Sequence, residues 1–221
     1  METVVALVVI LVAGAFWWLW RQRIFEKPWL THGPLEAHPS HNIRRVPAAK
    51  TGLFLFLVIV TSLFSLFISA YFDRMDLADW RPAPEPVLLW VNTFALILGS
   101  VAMQWAWSGA RRNDVITMQR GLIAAGVLTT GFVVGQIWAW FQLTGAGFGL
   151  QSNPASAFFY VLTGVHGLHM IGGMYVWLST VRRLLAREEL ERVGGAIELC
   201  KTYWHYLLIV WLVLFGLLLS T

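Results

Sequence analysis

The run GLIAAGVLTTGFVVGQIWAWFQL, Gly121–Leu143, contains no Lys, Arg, Asp or Glu, and Arg111, Arg112, Asp114 and Arg120 precede it. A helix crosses a hydrocarbon core with about 20 apolar residues, so this stretch reads as a transmembrane helix. Five further runs share the character: Val4 to Trp20, Thr51 to Phe72, Pro86 to Ala110, Ala155 to Val181 and Thr202 to Ser220. All are continuously apolar, whereas the strands of a membrane barrel alternate over about ten residues. The chain of 221 residues is 57% hydrophobic and 13% charged, against roughly 45–50% and about 25% in soluble domains. That composition excludes a disordered chain, a disulfide scaffold and a nucleic-acid binder, despite a net charge of +4. The single cysteine, Cys200, has no partner in the chain for a disulfide. The expected fold is all-α: a polytopic membrane bundle of six helices, one N-terminal helix plus a five-helix bundle.

The basic residues set the orientation. Every Lys and Arg except Arg74 and Arg81 falls in the loops after the first, third and fifth spans. Arg74 and Arg81 are diluted by Asp73, Asp76, Asp79 and Glu85. The three basic loops are therefore expected in the cytoplasm and both termini on the periplasmic side of a bacterial inner membrane. The first span is preceded by Glu2 and followed by Arg21 and Arg23, which favours a retained anchor over a cleaved signal peptide. Tryptophans gather near span ends: Trp17, Trp18, Trp20, Trp105, Trp107, Trp177 and Trp204 inside, Trp80, Trp90, Trp138 and Trp140 outside. Indoles favour the headgroup level, so these read as an aromatic belt; only Trp211 lies deep in a span.

Three segments follow: the N-terminal helix (1–20), a cytoplasmic linker (21–50) and a five-helix membrane domain (51–221). The linker holds four prolines and His32, His38 and His41 without periodicity, the character of a solvated loop. The stretch Ala186-Arg-Glu-Glu-Leu-Glu-Arg192 before Gly194-Gly195 predicts that the fifth helix continues past the membrane surface to a glycine stop. Arg81-Pro-Ala-Pro-Glu-Pro86 reads as a stiff outer loop.

Polar residues inside a membrane are costly and call for a reason. All twelve acidic residues lie outside the spans, which disfavours a transporter that relays protons or cations by itself. His166 and His169 share a face of the fifth span, being three apart, and His205 lies near the inner start of the sixth. Metal or haem ligation competes here with interhelical hydrogen bonding. Counted from the charged boundaries, His169 and His205 differ in depth by roughly 13 Å at 1.5 Å per residue, which argues against a shared metal. The expected assignment is no catalytic, cofactor-binding or metal residue. Gly164, Gly167, Gly172 and Gly173 suit close helix approach. Asn92, Gln104 and Gln136 are single amides expected to bridge neighbouring helices. Arg111, Arg112, Arg182 and Arg183 are expected at lipid headgroups.

Thr163-Gly-Val-His-Gly-Leu-His-Met-Ile-Gly-Gly173 and Tyr203-Trp-His-Tyr-Leu-Leu-Ile-Val-Trp211 together resemble subunit III of the haem–copper oxidases, the cytochrome c oxidase group. Asn92-Thr93 followed by Trp105-Ala106, Thr51-Gly-Leu-Phe-Leu-Phe-Leu, and Gln136 match in the same order, over about Lys50 to Phe215. The resemblance implies a non-catalytic subunit carrying no cofactor of its own. Haem and copper would sit in the partner catalytic subunits I and II, and bound phospholipid would fill a cleft. It also implies that His166, Gly167, His169, Gly172, Gly173, Tyr203, Trp204, His205 and Trp211, with Asn92, Trp105 and Gln136, are packing elements. The chain departs from the family pattern at several points. Val60 stands where many members carry a buried glutamate, Leu208 and Ala139 replace acidic residues, and Trp107 and Ser108 replace histidines. Six spans are counted against the family's seven, the missing one being assigned to its first helix. A proton-collecting role is thereby disfavoured. The competing readings are a subunit III-like accessory protein of a nitric oxide reductase, a self-contained b-type cytochrome using His166, His169 and His205, and a small transporter.

Overall fold

The computed structural model describes residues 48–81 and 87–220, and every regular element among them is an α-helix. They are α1 (Ala48–Met75), α2 (Leu88–Arg111), α3 (Val115–Gly145), α4 (Pro154–Leu185) and α5 (Leu190–Leu219). All five are long and apolar enough to cross a membrane, as a multi-pass membrane protein requires. The expected first span, Val4 to Trp20, and the linker up to residue 47 lie outside the described residues. Two compact units divide the chain, one ending at Ser69 within α1 and the other running from Ala70 onward.

The helices outrun the apolar stretches that announced them. α3 has 31 residues, about 46 Å at 1.5 Å per residue, against a core about 30 Å thick. Its first turns carry Arg120, which is exposed. Asp114 caps it by accepting from the amides of Ile116 and Thr117 at 3.1 and 3.2 Å, satisfying donors that helix geometry leaves orphaned. The Thr117 hydroxyl, and then those amides, hold the Asp114 carboxyl below its usual range. α4 opens on Asn153, whose side chain accepts from Ser156 N at 3.1 Å, with Pro154 in the first turn. There its missing N–H is no loss. α1 begins at Ala48, inside the stretch expected as linker.

The segment 186–195 departs from the expectation of one long helix stopped by glycine. α4 ends at Leu185, Arg187 takes a left-handed φ of 56°, and Glu188 N returns to Arg183 O at 3.2 Å. The acidic residues instead begin α5, with Glu191 in its first turn and Glu189 pairing with Arg192 at 3.2 Å. Acidic groups favour a helix N-terminus, and Arg182 and Arg183 occupy the last turn of α4, where basic groups are favoured. Gly194 and Gly195 thus lie inside α5. Charge placement relative to the helix dipole decided this boundary, and the glycine pair did not.

Helices α2 to α5 close a ring in which α2 and α4 each pack on both α3 and α5. Short connections, 112–114, 146–153 and 186–189, make sequential helices antiparallel neighbours. The inward face of α3 carries Gly121, Ala125, Gly126, Thr129, Phe132, Gln136 and Ala139. Its outward face carries Ile123, Val127, Val134, Trp138 and Phe141. Small and polar inside, large and apolar outside, is the pattern of a bundle solvated by lipid, where apolar burial supplies no drive and close packing must. A β-carbon on Gly121 would fall 2.5 Å from Ala106 N and 2.7 Å from its Cα. One on Gly126 would meet the Trp177 ring at 2.2 Å. Tyr71, near the end of α1, meets Trp80 edge-on at 4.9 Å and Phe158 at 5.5 Å. Arg74 clasps Asp79 with both guanidinium nitrogens, and that hydrogen-bonded guanidinium holds the Asp79 carboxyl below its usual range.

Candidate functional site: the polar and aromatic core of the ring

Four indoles tie the ring together, each donating from Nε1 to an acceptor on a different helix. Trp211 of α5 reaches Thr93 Oγ1 on α2 at 2.9 Å, and Trp204 of α5 reaches Thr129 Oγ1 on α3 at 3.0 Å. Trp140 of α3 reaches Thr163 Oγ1 on α4, and Trp177 of α4 reaches the Leu122 carbonyl on α3, both at 3.0 Å. The pairing is chemically complementary. Indole only donates, whereas a hydroxyl both donates and accepts. Thr93 and Thr163 commit their protons to Leu89 O at 2.8 Å and Phe159 O at 2.6 Å, leaving oxygen lone pairs for the incoming N–H. This corrects the belt reading for Trp140, Trp177 and Trp204, whose N–H groups point into the bundle. Trp90, Trp105 and Trp138 do face outward.

His166 is fully buried on α4 and donates from Nε2 to Leu207 O on α5 at 3.1 Å. Its ring meets Trp211 at 5.1 Å and Phe132 edge-on at 5.7 Å. Phe132 and Trp211 are themselves edge to face at 4.9 Å. The ladder continues from Trp211 to Phe215, stacked at 6.2 Å, and from Phe215 to Trp90 at 4.9 Å, so that it touches all four helices. Such aromatic pairs add about 0.5–1.5 kcal/mol each beyond area burial.

The other two histidines serve different partners. His205 on α5 donates from Nε2 to Gln104 Oε1 at 3.2 Å and accepts at Nδ1 from the Ser100 hydroxyl, one consistent neutral tautomer. His169 donates from Nδ1 to Val165 O on its own helix at 2.8 Å, and its carbonyl accepts from Tyr203 O–H at 3.0 Å. Three histidines therefore address α5, α2 and α4 separately. Among the described residues no group of three or more His, Cys, Asp or Glu is placed to hold a metal. Cys200 is buried beside Thr180 Oγ1 at 3.4 Å.

Of the four glycines singled out on α4, Gly173 is the close-approach position: a β-carbon there would meet the Tyr203 ring at 2.8 Å. Gly164 has Trp140 at 3.7 Å, while Gly167 and Gly172 have nothing within 4 Å among the described residues. The other glycines that meet neighbours closely, Gly109, Gly121, Gly126 and Gly135, lie at α2 and α3. Sequence reading missed them, although Gly99, Ala102, Ala106 and Gly109 recur at helical spacing on one face of α2. Trp105, expected among the packing residues, is 45% exposed, because the inward stripe runs through its neighbours Met103 and Ala106. Asn92 Oδ1 packs against Gly135, and Asn92 Nδ2 and both polar atoms of Gln136 are buried without a partner among the described residues. Near the start of α5 and the end of α2, Lys201 Nζ lies 3.7 Å and Arg111 5.1 Å from the Trp107 ring. Arg112, Arg182 and Arg183 are exposed.

His166→Leu is expected to lower stability by about 0.6–1.7 kcal/mol, the span for a membrane hydrogen bond. The measurement is the thermal unfolding midpoint in detergent. An unchanged midpoint would remove His166 from the forces joining α4 to α5.

Fold and site together define a multi-pass helical bundle whose polar groups are turned mainly toward one another. The family model of cytochrome c oxidase subunit III matches residues 2–219. A relative from Synechocystis sp., named cytochrome c oxidase subunit 3, is 32% identical over 191 residues, covering 84% of this chain and 80% of its own length. One from Nocardia farcinica, named probable cytochrome c oxidase subunit 3, is 26% identical, with 84% and 94% covered. One from Thermostichus vulcanus, named cytochrome c oxidase subunit 3, is 28% identical, with 76% and 84% covered. The chain belongs to the cytochrome c oxidase subunit III family.

Proposed function

We propose that this chain is the non-catalytic subunit III of a bacterial haem–copper terminal oxidase, supporting assembly, lipid organisation and sustained turnover of the catalytic subunit. The observation that carries this reading is the core centred on His166 and Trp211, whose groups join helix to helix, set beside the family match. His166, His169 and His205 each engage a different element, which speaks against the b-type cytochrome. Relatives named for cytochrome c oxidase favour that partner over a nitric oxide reductase. In this reading haem and copper reside in subunits I and II, and no residue of this chain is catalytic. Arg111, Arg112, Arg182 and Arg183 meet lipid headgroups on the cytoplasmic side of the inner membrane. The chain spans six times, as an N-terminal helix (1–20), a linker (21–50) and a five-helix domain (51–221), with both termini periplasmic.

The test is removal of the chain from the oxidase. Oxygen reduction is expected to persist at first and to decay after fewer turnovers than in the complete assembly. Complete loss of activity in an otherwise intact core would show a direct part in the chemistry. Purification of the chain in mild detergent is expected to bring down the catalytic subunit with its haem spectrum.

A further inference from the structure

Where α5 passes the end of α2, two cations lie against one indole. Lys201 Nζ is 3.7 Å and the Arg111 guanidinium 5.1 Å from the Trp107 ring. Neither pairs with a carboxylate among the described residues, Glu198 one turn before Lys201 included. Further along both helices stands the pair of His205 and Gln104. The Ser100 hydroxyl donates to His205 Nδ1, which leaves the ring proton on Nε2, and Nε2 donates to Gln104 Oε1 at 3.2 Å. With its oxygen engaged, the Gln104 carboxamide has an NH2 left over. That nitrogen, like Trp107 Nε1, meets no acceptor among the described residues. Gln104 is exposed, and Trp107, Lys201 and His205 are half-buried. The unmet polar groups of the α2–α5 seam are therefore all donors: an ammonium, a guanidinium, an indole N–H and an amide NH2. Deeper along the seam the character turns apolar, and Ile97 and Leu212 face each other across a groove.

We propose that this seam binds one glycerophospholipid of net negative charge. Its phosphate bridges Lys201 and Arg111, a glycerol ester oxygen accepts from the Gln104 NH2, and an acyl chain follows the apolar groove. This deepens the reading of the chain as a lipid-organising subunit and rests on it. The ligand supplies what the seam lacks: phosphate and ester oxygens only accept, and they come in that order from headgroup to tail. The spacing agrees. Lys201 and His205 are four residues apart, about 6 Å along the helix, and the headgroup layer on each face of a bilayer is roughly 5–7 Å deep. Basic residues near a membrane surface favour anionic lipid, whereas a zwitterionic headgroup brings its own ammonium against two cations. The segment 21–47 is a poorer occupant, since Arg21, Arg23, Lys27, Arg44 and Arg45 outnumber Glu26 and Glu36. A helix of a neighbouring subunit has its backbone carbonyls engaged in its own hydrogen bonds. It would have to bring an acid and a second acceptor at this spacing.

The test mixes the full chain in detergent micelles with phosphatidylglycerol or phosphatidylethanolamine and counts bound lipid by native mass spectrometry. One phosphatidylglycerol is expected to be retained in preference to phosphatidylethanolamine. Lys201→Gln combined with Arg111→Gln is expected to weaken its binding about thirtyfold, with the unfolding midpoint unchanged. Arg182→Gln combined with Arg183→Gln removes the same charge at the end of α4 and is expected to leave binding as in the wild type. Gln104→Leu is expected to cost about threefold, the worth of one membrane hydrogen bond. In the complete oxidase, a photo-crosslinking residue at position 101, an exposed place beside Gln104, is expected to label phospholipid retained through purification. Equal losses from the two double variants, equal binding of the two lipids, or displacement by millimolar inorganic phosphate overturn the proposal. So does labelling confined to a peptide of another subunit or of residues 1–47. In those cases the oxidase reading stands. That reading fails instead if the wild-type chain brings down no catalytic subunit, a result that leaves the lipid count unaffected.

Discussion

Trp211→Ala is expected to destabilise the ring by about 3 kcal/mol, the lower end of the range for removing a buried Trp, and to deplete the chain from its assembly. The lower end applies because lipid is as apolar as the bundle interior, so transfer from water contributes little. What is lost is contact: the edge-to-face pair with Phe132, the stack on Phe215, the flank of His166 and the bond to Thr93 Oγ1. Trp211→Phe separates these contributions. It keeps most ring contact and forfeits the hydrogen bond, so its loss is expected near the average of about 0.6 kcal/mol for such bonds in membranes. Both are read from unfolding midpoints in detergent and from the amount of chain recovered with the oxidase. Equal midpoints for Trp211→Ala and wild type would show that the aromatic ladder is incidental.

Gly121→Leu is expected to have an effect as large by the opposite route. The atoms facing Gly121 are the backbone nitrogen and Cα of Ala106, at 2.5 and 2.7 Å from a β-carbon, and backbone cannot rotate aside as a side chain can. Overpacking typically costs about 1–3 kcal/mol and occasionally more; Gly121→Ala is expected within that range and Gly121→Leu beyond it. Gly172→Ala, with nothing within 4 Å, is the matched control and is expected to leave the midpoint unchanged. A tolerated Gly121→Leu would mean that α2 and α3 are not held at this distance.

The apolar runs announced the helices from Thr51 onward because length and charge exclusion depend on composition alone. Their ends were less legible. Asp114 caps one helix and the charges at 187–192 flank and begin another, in stretches where hydropathy carries no signal and caps and dipoles act. Within the core, His166 and Trp211 stood out as polar or aromatic groups deep in a span. Gly121 and Gly126 did not, since a glycine's role depends on what faces it, and only the pairing of α3 with α2 and α4 supplies Ala106 and Trp177. The tryptophans misled for a related reason: position near a helix end is visible in sequence, but the side on which an indole points depends on whether a threonine waits across the interface.

The turn between α2 and α3 bears on how easily the two helices find each other. Only Arg112, Asn113 and Asp114 separate the helices, with Asn113 in a left-handed conformation at φ 56° and Asp114 closing the cap. Three residues reach at most about 11 Å, so the two helices can only be side-by-side arms of one hairpin. The contact of Gly121 with Ala106 is therefore local in the chain, and closing so short a loop costs little entropy.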